Sequence, residues 1–109
     1  MTHDFASQKA ETFATYAELQ AEHGLPDEAD VDYFLIPAQE GADWRVLAEA
    51  LTLDGYDCQW IEDDEGAPYL VATLPDQAIS ATGIWLGEEV ATRHALEHGF
   101  APDGWGMEG

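Results

Sequence analysis

The sequence DYFLIPAQEGADWRVLAEALTLDGYDCQWIEDDEGAPYLVATL, residues 32–74, contains the patterns that decide the fold. Residues 32–37 are a short apolar run, rich in aromatic and branched side chains and closed by a proline, which is typical of a buried strand. Residues 56–61 alternate well enough to predict a half-buried strand. After an acidic turn, residues 67–74 return as a more continuously apolar strand, with Pro68 near its start, where no ladder amide is needed.

A helix is predicted between the first two of these strands. Its apolar residues recur with helical spacing on one stripe: Trp44, Leu47, Ala48 and Leu51. Asp43 precedes the first of them and can cap the helix, because its carboxylate accepts a hydrogen bond from a free amide of the first turn. Gly55 stands where the end of a helix favours a left-handed residue. The whole stretch therefore predicts a β-α-β-β unit.

Two more helices are predicted outside this unit. Residues 4–23 contain neither proline nor glycine, and Gly24 then ends the helix. Their apolar side chains form one stripe that two larger residues widen: Ala10, Phe13, Ala14, Ala17 and Ala21, with Tyr16 and Leu19. Residues 80–98 predict the other helix, although Gly83 and Gly87 weaken its first turns. We expect the N-terminal helix to pack on the core.

Length and composition favour one soluble domain. A chain of 109 residues, of which 46% are hydrophobic, predicts a single domain at 1–109, with the N-terminal helix at 4–24 and the core at 31–109. No apolar run approaches the roughly 18 residues of a membrane span, and the first residues do not resemble a signal peptide. We therefore expect a cytoplasmic protein. Cys58 is the only cysteine, and its place in a strand predicts an unreactive core thiol.

Charge is the most unusual global property of the chain. Three Lys and Arg residues oppose 23 Asp and Glu residues, which gives a formal net charge of −20. Direct binding to nucleic acid is disfavoured, because almost nothing is present to neutralise phosphates. The charge favours a basic partner, such as the arginine-rich segment of an RNA-binding protein. Two alternatives remain open: an acidic surface suited to solubility or a saline environment, and a mimic of nucleic acid that blocks a nucleic-acid-binding protein.

Two histidines are the basis of an alternative hypothesis, a small metal- or ligand-binding enzyme. His94 and His98 share one face of the predicted helix and, with Glu97 or Asp103, have the residue types of a metal site. The zinc-protease motif needs a glutamate directly after the first histidine, and Ala95 stands there. Histidines near the C-terminus of a helix are also favoured by its dipole, so a surface role is the simpler interpretation.

No complete catalytic or cofactor-binding motif is present in the sequence. Carboxylates cluster at residues 63–65 and 88–89, but a general acid needs a desolvated pocket, and we expect these groups to be solvated charges. A phosphate-binding loop, a dinucleotide-binding motif and a nucleophile elbow are all missing. The sequence therefore predicts no catalytic residues, no cofactor and no bound metal.

The C-terminal sequence Pro-Asp-Gly-Trp-Gly at residues 102–106 resembles a motif of a known family. The regulators of ribonuclease E activity of the B type are small acidic proteins in which Tyr-Asp-Gly-Trp-Gly, or a close variant, follows the last helix. The order of elements is similar as well. It comprises a first helix that carries Glu11 and Thr12, an acidic connector, a strand at Tyr33, a helix that begins near Trp44, and a hairpin.

This resemblance implies both a fold and a function. The implied fold is α+β, a ferredoxin-like sandwich of the order β-α-β-β-α-β with both helices on one face and an extra N-terminal helix. The implied function is non-enzymatic: the protein would bind the non-catalytic scaffold region of ribonuclease E and restrain RNA cleavage. Self-association into a homo-oligomer is compatible with this role.

Candidate partner-binding residues come from the C-terminal motif and from the acidic turn: Asp103, Trp105, Asp63, Asp64 and Glu65. Two roles are distinguished for Trp105. Its ring seals the sheet as part of a final strand, or it is an exposed anchor for the partner. The flanking glycines favour the first role, because they predict a tight turn that brings the ring back to the sheet.

Overall fold

The computed structural model describes residues 3–108, which form an α+β structure with three helices and a four-stranded antiparallel sheet. The helices are α1 (Phe5–His23), α2 (Trp44–Leu53) and α3 (Ala81–Glu97). The strands are β1 (Glu28–Pro37), β2 (Asp57–Glu62), β3 (Pro68–Ala78) and β4 (Phe100–Glu108). The predicted β-α-β-β unit and both flanking helices are confirmed. No helix in this part of the chain has the length and apolar character needed to cross a membrane.

The strands are ordered β2-β3-β1-β4, so that β1 and β3 are central while β2 and β4 form the edges. Tyr33 of β1 lies opposite Ala72 of β3 on one side and opposite Trp105 of β4 on the other. Val31, Tyr33 and Leu35 alternate with less buried residues and face the helices. Because residues directly opposite each other in a sheet share a face, Trp105 lies on the helix-covered side.

Capping side chains and glycines determine where the helices begin and end. Asp43 Oδ1 accepts a hydrogen bond from Arg45 N at 2.9 Å, and Ser80 Oγ accepts one from Gly83 N at 2.9 Å. Gly55 follows the end of α2 with a φ of 97°, in the left-handed region that favours glycine. The cap at Asp43 and the glycine predicted for the end of α2 are therefore confirmed.

The core lies between the sheet and the helices α2 and α3. Two buried tyrosines connect it to α3. The Tyr33 hydroxyl donates to Ile84 O at 2.9 Å, and the Tyr56 hydroxyl donates to Gly87 O at 2.6 Å. Burial raises the pKa of both tyrosines far above the usual value, so both hydroxyl groups remain protonated donors. These bonds fix α3 to the sheet at two carbonyl groups about one turn apart.

Gly87 allows α3 to approach the sheet this closely. A Cβ atom at this position would lie 2.9 Å from Tyr33 Cζ and 2.9 Å from Leu74 Cδ1, and closer still to Tyr33 Oη. Carbon atoms in packed cores do not approach each other to this distance. The glycine that weakens the helix in the sequence is therefore needed for the packing of the helix in the fold.

Two strands are longer than predicted. β1 begins at Glu28, before the expected start at residue 32, and β3 continues through Pro75 to Ala78, where we expected a connection. Asp76 has a φ of 54°, and its backbone N donates to the Asp30 carboxylate at 2.9 Å. The prediction at Pro75 is wrong because the pairing of β1 with β3 is irregular here, and such irregular positions accommodate proline and left-handed residues.

Helix α1 packs through a face that coincides only in part with the predicted stripe. The alanines at positions 10, 14, 17 and 21 are exposed, and Thr12 is its buried residue. Half-buried side chains of α1 lie at Phe5, Gln8, Phe13, Tyr16 and Leu19. The prediction is confirmed for Phe13, Tyr16 and Leu19 and wrong for the alanines, because an alanine side chain buries little apolar area, so larger side chains and polar contacts decide which face packs.

Candidate functional site

A cleft of about 400 Å³ lies between α1, α3 and β4. Residues from all three elements line it, among them Gln8, Glu11 and Thr12 of α1, Glu88 of α3, and Pro102 and Trp105 of β4. Among the described residues, the lining contains three carboxylates and one histidine, and it contains neither lysine nor arginine. The cleft is therefore polar and acidic, with one large aromatic ring in its wall.

Polar contacts hold α1 in place beside this cleft. Asp4 caps the helix, because its carboxylate accepts hydrogen bonds from Ser7 N at 3.0 Å and from Ser7 Oγ at 2.7 Å. These bonds, the backbone one first, lower the pKa of Asp4. Gln8 Nε2 donates to Thr92 Oγ1 at 2.9 Å, and Gln8 Oε1 lies 2.6 Å from His3 Nε2. The bond between Gln8 and Thr92 thus joins α1 to α3.

Glu88 is the most deeply buried carboxylate of the cleft, with 4% of its surface exposed. The Thr12 hydroxyl, also buried, donates a hydrogen bond to Glu88 Oε1. Burial raises the pKa of Glu88, and hydrogen bonds from Thr12 and Gln8 offset part of this increase. The prediction that residues 88 and 89 are both solvated charges is wrong for Glu88, because α1 covers its side of α3. Glu89 is less buried and pairs with Arg93 at 3.3 Å.

A bulge in β4 carries Trp105 to the cleft. Trp105 pairs with Tyr33 and Pro102 pairs with Leu35, so three steps along β4 match two steps along β1. Gly104, inside the bulge, has a φ of 101°, which a residue with a side chain rarely adopts. The Asp-Gly-Trp-Gly motif therefore forms a bulge within a continuous strand and not the predicted tight turn.

Trp105 has one part in the core and another in the cleft. Its side chain is half-buried and packs against the core cluster, and its ring also lines the cleft. The structure thus places Trp105 between the two predicted roles, since it closes the edge of the core and still presents surface. Asp103, at the same bulge, is exposed.

The acidic turn lies elsewhere in the fold. Asp63, Asp64 and Glu65 are exposed in the hairpin between β2 and β3. Asp63 Oδ1 accepts hydrogen bonds from Glu65 N and Ala67 N, both at 2.9 Å, so this carboxylate also stabilises the turn. The hairpin belongs to the β2 edge of the sheet and Trp105 to the β4 edge. The structure therefore does not bring the two groups of candidate residues together.

The residues outside the cleft that were considered for metal binding or thiol reactivity lie at structural positions of the fold. His94 Nε2 lies 2.5 Å from Asp54 Oδ2, a contact that joins α3 to the end of α2. Within residues 3–108, no group of three or more His, Cys, Asp and Glu residues is arranged to hold a metal ion. Cys58 is half-buried, and burial raises the pKa of its thiol. The described residues therefore give the metal-enzyme hypothesis, based on His94 and His98, no geometric support.

Four polar residues that build the cleft were not predicted as site residues from the sequence: His3, Gln8, Thr12 and Glu88. One signal was available in α1. Its packed side chains follow helical spacing at Phe5, Gln8, Thr12, Tyr16 and Leu19. Two polar residues within such a stripe indicate polar partners on the neighbouring element, because buried polar groups are almost always hydrogen-bonded.

The fold and the cleft define a small, strongly acidic α+β protein with a polar cleft between α1, α3 and β4 and with no metal-ligand cluster among the described residues. The family model of the regulator of ribonuclease activity B, RraB, matches residues 7–107. The chain belongs to this family, which confirms the resemblance seen in the sequence. The matched region includes Thr12, Glu88 and Trp105 of the cleft. A search of curated proteins found no match.

Proposed function

We propose that this protein is a non-enzymatic regulator that binds the non-catalytic scaffold region of ribonuclease E and restrains RNA cleavage. Membership of the RraB family over residues 7–107 carries the proposal, because that family is described as regulating ribonuclease activity. A regulator that acts by binding needs no catalytic residues and no cofactor of its own. We place this activity in the cytoplasm.

The proposal includes the fold, a ferredoxin-like sandwich with an extra N-terminal helix, in which residues 1–109 are one domain. The order of the elements after α1 is β-α-β-β-α-β, and the order of the strands is β2-β3-β1-β4. Both orders support this fold. The core residues of β1, β3, α2 and α3 belong to one connected cluster, which supports a single domain.

The net charge of −20 supports a basic partner surface. Such a charge attracts cations and repels the phosphates of RNA, so the protein is expected to contact the enzyme and not its substrate. Exposed charges are screened beyond about 8 Å at physiological salt. Added salt is therefore expected to weaken the complex.

The test uses the purified protein and two forms of ribonuclease E: the full-length enzyme and its catalytic region without the scaffold. Isothermal titration calorimetry is expected to show binding to the full-length enzyme only. The affinity should fall roughly tenfold or more when salt rises from about 50 to about 300 mM. In parallel, cleavage of a fluorescent RNA by the full-length enzyme should slow as the protein is added.

The catalytic region provides the control in both assays. Its cleavage rate should be unchanged by the protein, because the proposed binding site lies in the scaffold. The absence of binding to the full-length enzyme at low salt would contradict the proposal. Equal inhibition of the two enzyme forms would contradict the assignment of the scaffold as the site.

A further inference from the structure

The cleft between α1, α3 and β4 fits one kind of chemical group from a partner. Its described lining contains the carboxylates of Asp4, Glu11 and Glu88 and neither lysine nor arginine. We propose that the cleft receives the guanidinium group of an arginine from a basic segment of the partner, with Glu88 as acceptor and the Trp105 ring as stacking surface. This inference rests on the proposed function, because the basic partner supplies the arginine.

Glu88 provides hydrogen-bond acceptors at a position that is largely closed to water. A carboxylate has about four acceptor positions, and the bonds from Thr12 and Gln8 use at most two of them. Glu88 is one of the residues that line the cleft, so we assign its remaining acceptor positions to the group that enters it. A guanidinium group matches a carboxylate through two parallel N–H donors, and such charge-assisted bonds are about twice as strong as neutral ones.

The protein has no arginine or lysine of its own available for this carboxylate. Each of its three cations is engaged elsewhere: Arg93 with Glu89 at 3.3 Å, Arg45 with Asp43 at 3.5 Å, and Lys9 over the Phe13 ring at 5.6 Å. Burial disfavours the ionised form of Glu88 and raises its pKa. An incoming guanidinium would favour the ionised form of Glu88 again, because it would pair with the charged carboxylate.

The Trp105 ring favours a guanidinium over an ammonium group. Trp105 packs against the core cluster and also lines the cleft. A planar guanidinium stacks on an aromatic face while its N–H groups still donate in their own plane. An ammonium group is more strongly hydrated and has no planar face. It therefore loses more hydration free energy on entering the cleft and cannot stack on the ring.

The test measures the binding of octa-arginine amide and octa-lysine amide by isothermal titration calorimetry. Wild-type protein is compared with Glu88→Gln and with Glu97→Gln, which removes the same charge from an exposed position of α3. The Glu88→Gln side chain keeps an acceptor for Thr12, so the fold is expected to persist, and thermal unfolding checks this. Glu88→Gln should weaken octa-arginine binding about tenfold or more. Glu97→Gln should weaken it less than about twofold.

A second measurement locates the peptide on the protein. Octa-arginine should shift the NMR signal of the Trp105 indole N–H, which the variant Trp105→Phe identifies. Trp44 and Trp60 are stacked on each other at 5.3 Å and do not line the cleft, so their signals should stay in place. Equal weakening by the two glutamine variants, equal affinity for the two peptides, or an unmoved Trp105 signal would each overturn the inference.

Full-length ribonuclease E separates this inference from the function on which it rests. If the enzyme binds wild-type protein and Glu88→Gln equally well, the cleft assignment is overturned and the proposed function stands. If the enzyme does not bind, while octa-arginine binding still depends on Glu88 and moves Trp105, the cleft assignment is supported and the proposed function fails.

Discussion

Replacing Gly87 with alanine tests how α3 is held against the sheet. The added methyl group would lie 2.9 Å from Tyr33 Cζ and from Leu74 Cδ1, and closer still to the Tyr33 hydroxyl oxygen. Tyr33 is 1% exposed and cannot rotate into solvent. Either the ring moves and its hydroxyl loses the bond to Ile84 O, or α3 shifts away from the sheet.

The expected magnitude follows from three contributions. Overpacking of a core costs about 1–3 kcal/mol. A buried hydroxyl left without its acceptor costs about 1–3 kcal/mol more. Alanine is favoured over glycine within a helix by about 1 kcal/mol, which acts in the opposite direction. We therefore expect Gly87→Ala to lower the free energy of unfolding by about 3 kcal/mol, a large share of the roughly 5–15 kcal/mol of a typical domain.

Urea unfolding followed by far-UV circular dichroism measures this change. Gly83→Ala is the control, because it adds the same methyl group to α3 away from the core, where the near contact is the Ser80 hydroxyl that caps the helix. Weakening of this cap costs about 1 kcal/mol and alanine is favoured over glycine by about 1 kcal/mol, so the free energy of unfolding should change by less than about 1 kcal/mol. The double variant Gly87→Ala/Tyr33→Phe should recover part of the loss, since it removes the closest atom. An unchanged or raised midpoint for Gly87→Ala would refute the account of how α3 is packed.

Three further changes concern the cleft, and urea unfolding measures each of them. Trp105→Ala should lower the free energy of unfolding by about 2 kcal/mol, which is less than the roughly 3–5 kcal/mol that removal of a fully buried ring costs. An unaltered midpoint would show that the ring does not support the core. Glu88→Gln should stabilise the protein at neutral pH, because a raised pKa means that the ionised carboxylate is unfavourable in the folded state. The advantage of the variant should disappear as the pH falls toward 4.5, the ordinary pKa of a glutamate, since the wild-type carboxyl group is then protonated. An advantage independent of pH would argue against this cause. Thr12→Val removes the donor to this carboxylate and should cost about 2 kcal/mol at neutral pH, whereas no loss would mean that the buried bond is not needed.

Elements with local signals were predictable from the sequence. Helix α2 has a capping aspartate at residue 43, an apolar stripe with a period of 3.6 residues, and a glycine after its end, and the structure has all three. Cys58 and Trp60 were correctly placed on one face of β2, because alternation along a strand depends only on neighbouring residues. The family could also be identified, since the motif around Trp105 is a property of the sequence itself.

The cleft was not predictable, because its residues are defined by contacts between distant elements. Glu88 and Glu89 look alike in the sequence, and only the position of α1 buries the first while the second contacts Arg93. The buried pair of Thr12 and Glu88 joins residues that are 76 positions apart. The packing face of α1 was misjudged for the same reason, since hydrophobicity alone favoured its alanines and the polar partners on α3 decided otherwise.

The two tyrosine hydroxyls that donate to carbonyl groups of α3 have a mechanical consequence for the cleft. Bonds to Ile84 O and Gly87 O fix both the rotation of α3 about its axis and its position along the sheet. Glu88 directly follows the second of these anchor points, so its backbone is held in place on the sheet side of the cleft. On the other side, α1 is joined to α3 by side-chain hydrogen bonds such as that between Gln8 and Thr92. A group that enters the cleft therefore meets an acceptor whose position along α3 is determined by the packing of that helix on the sheet.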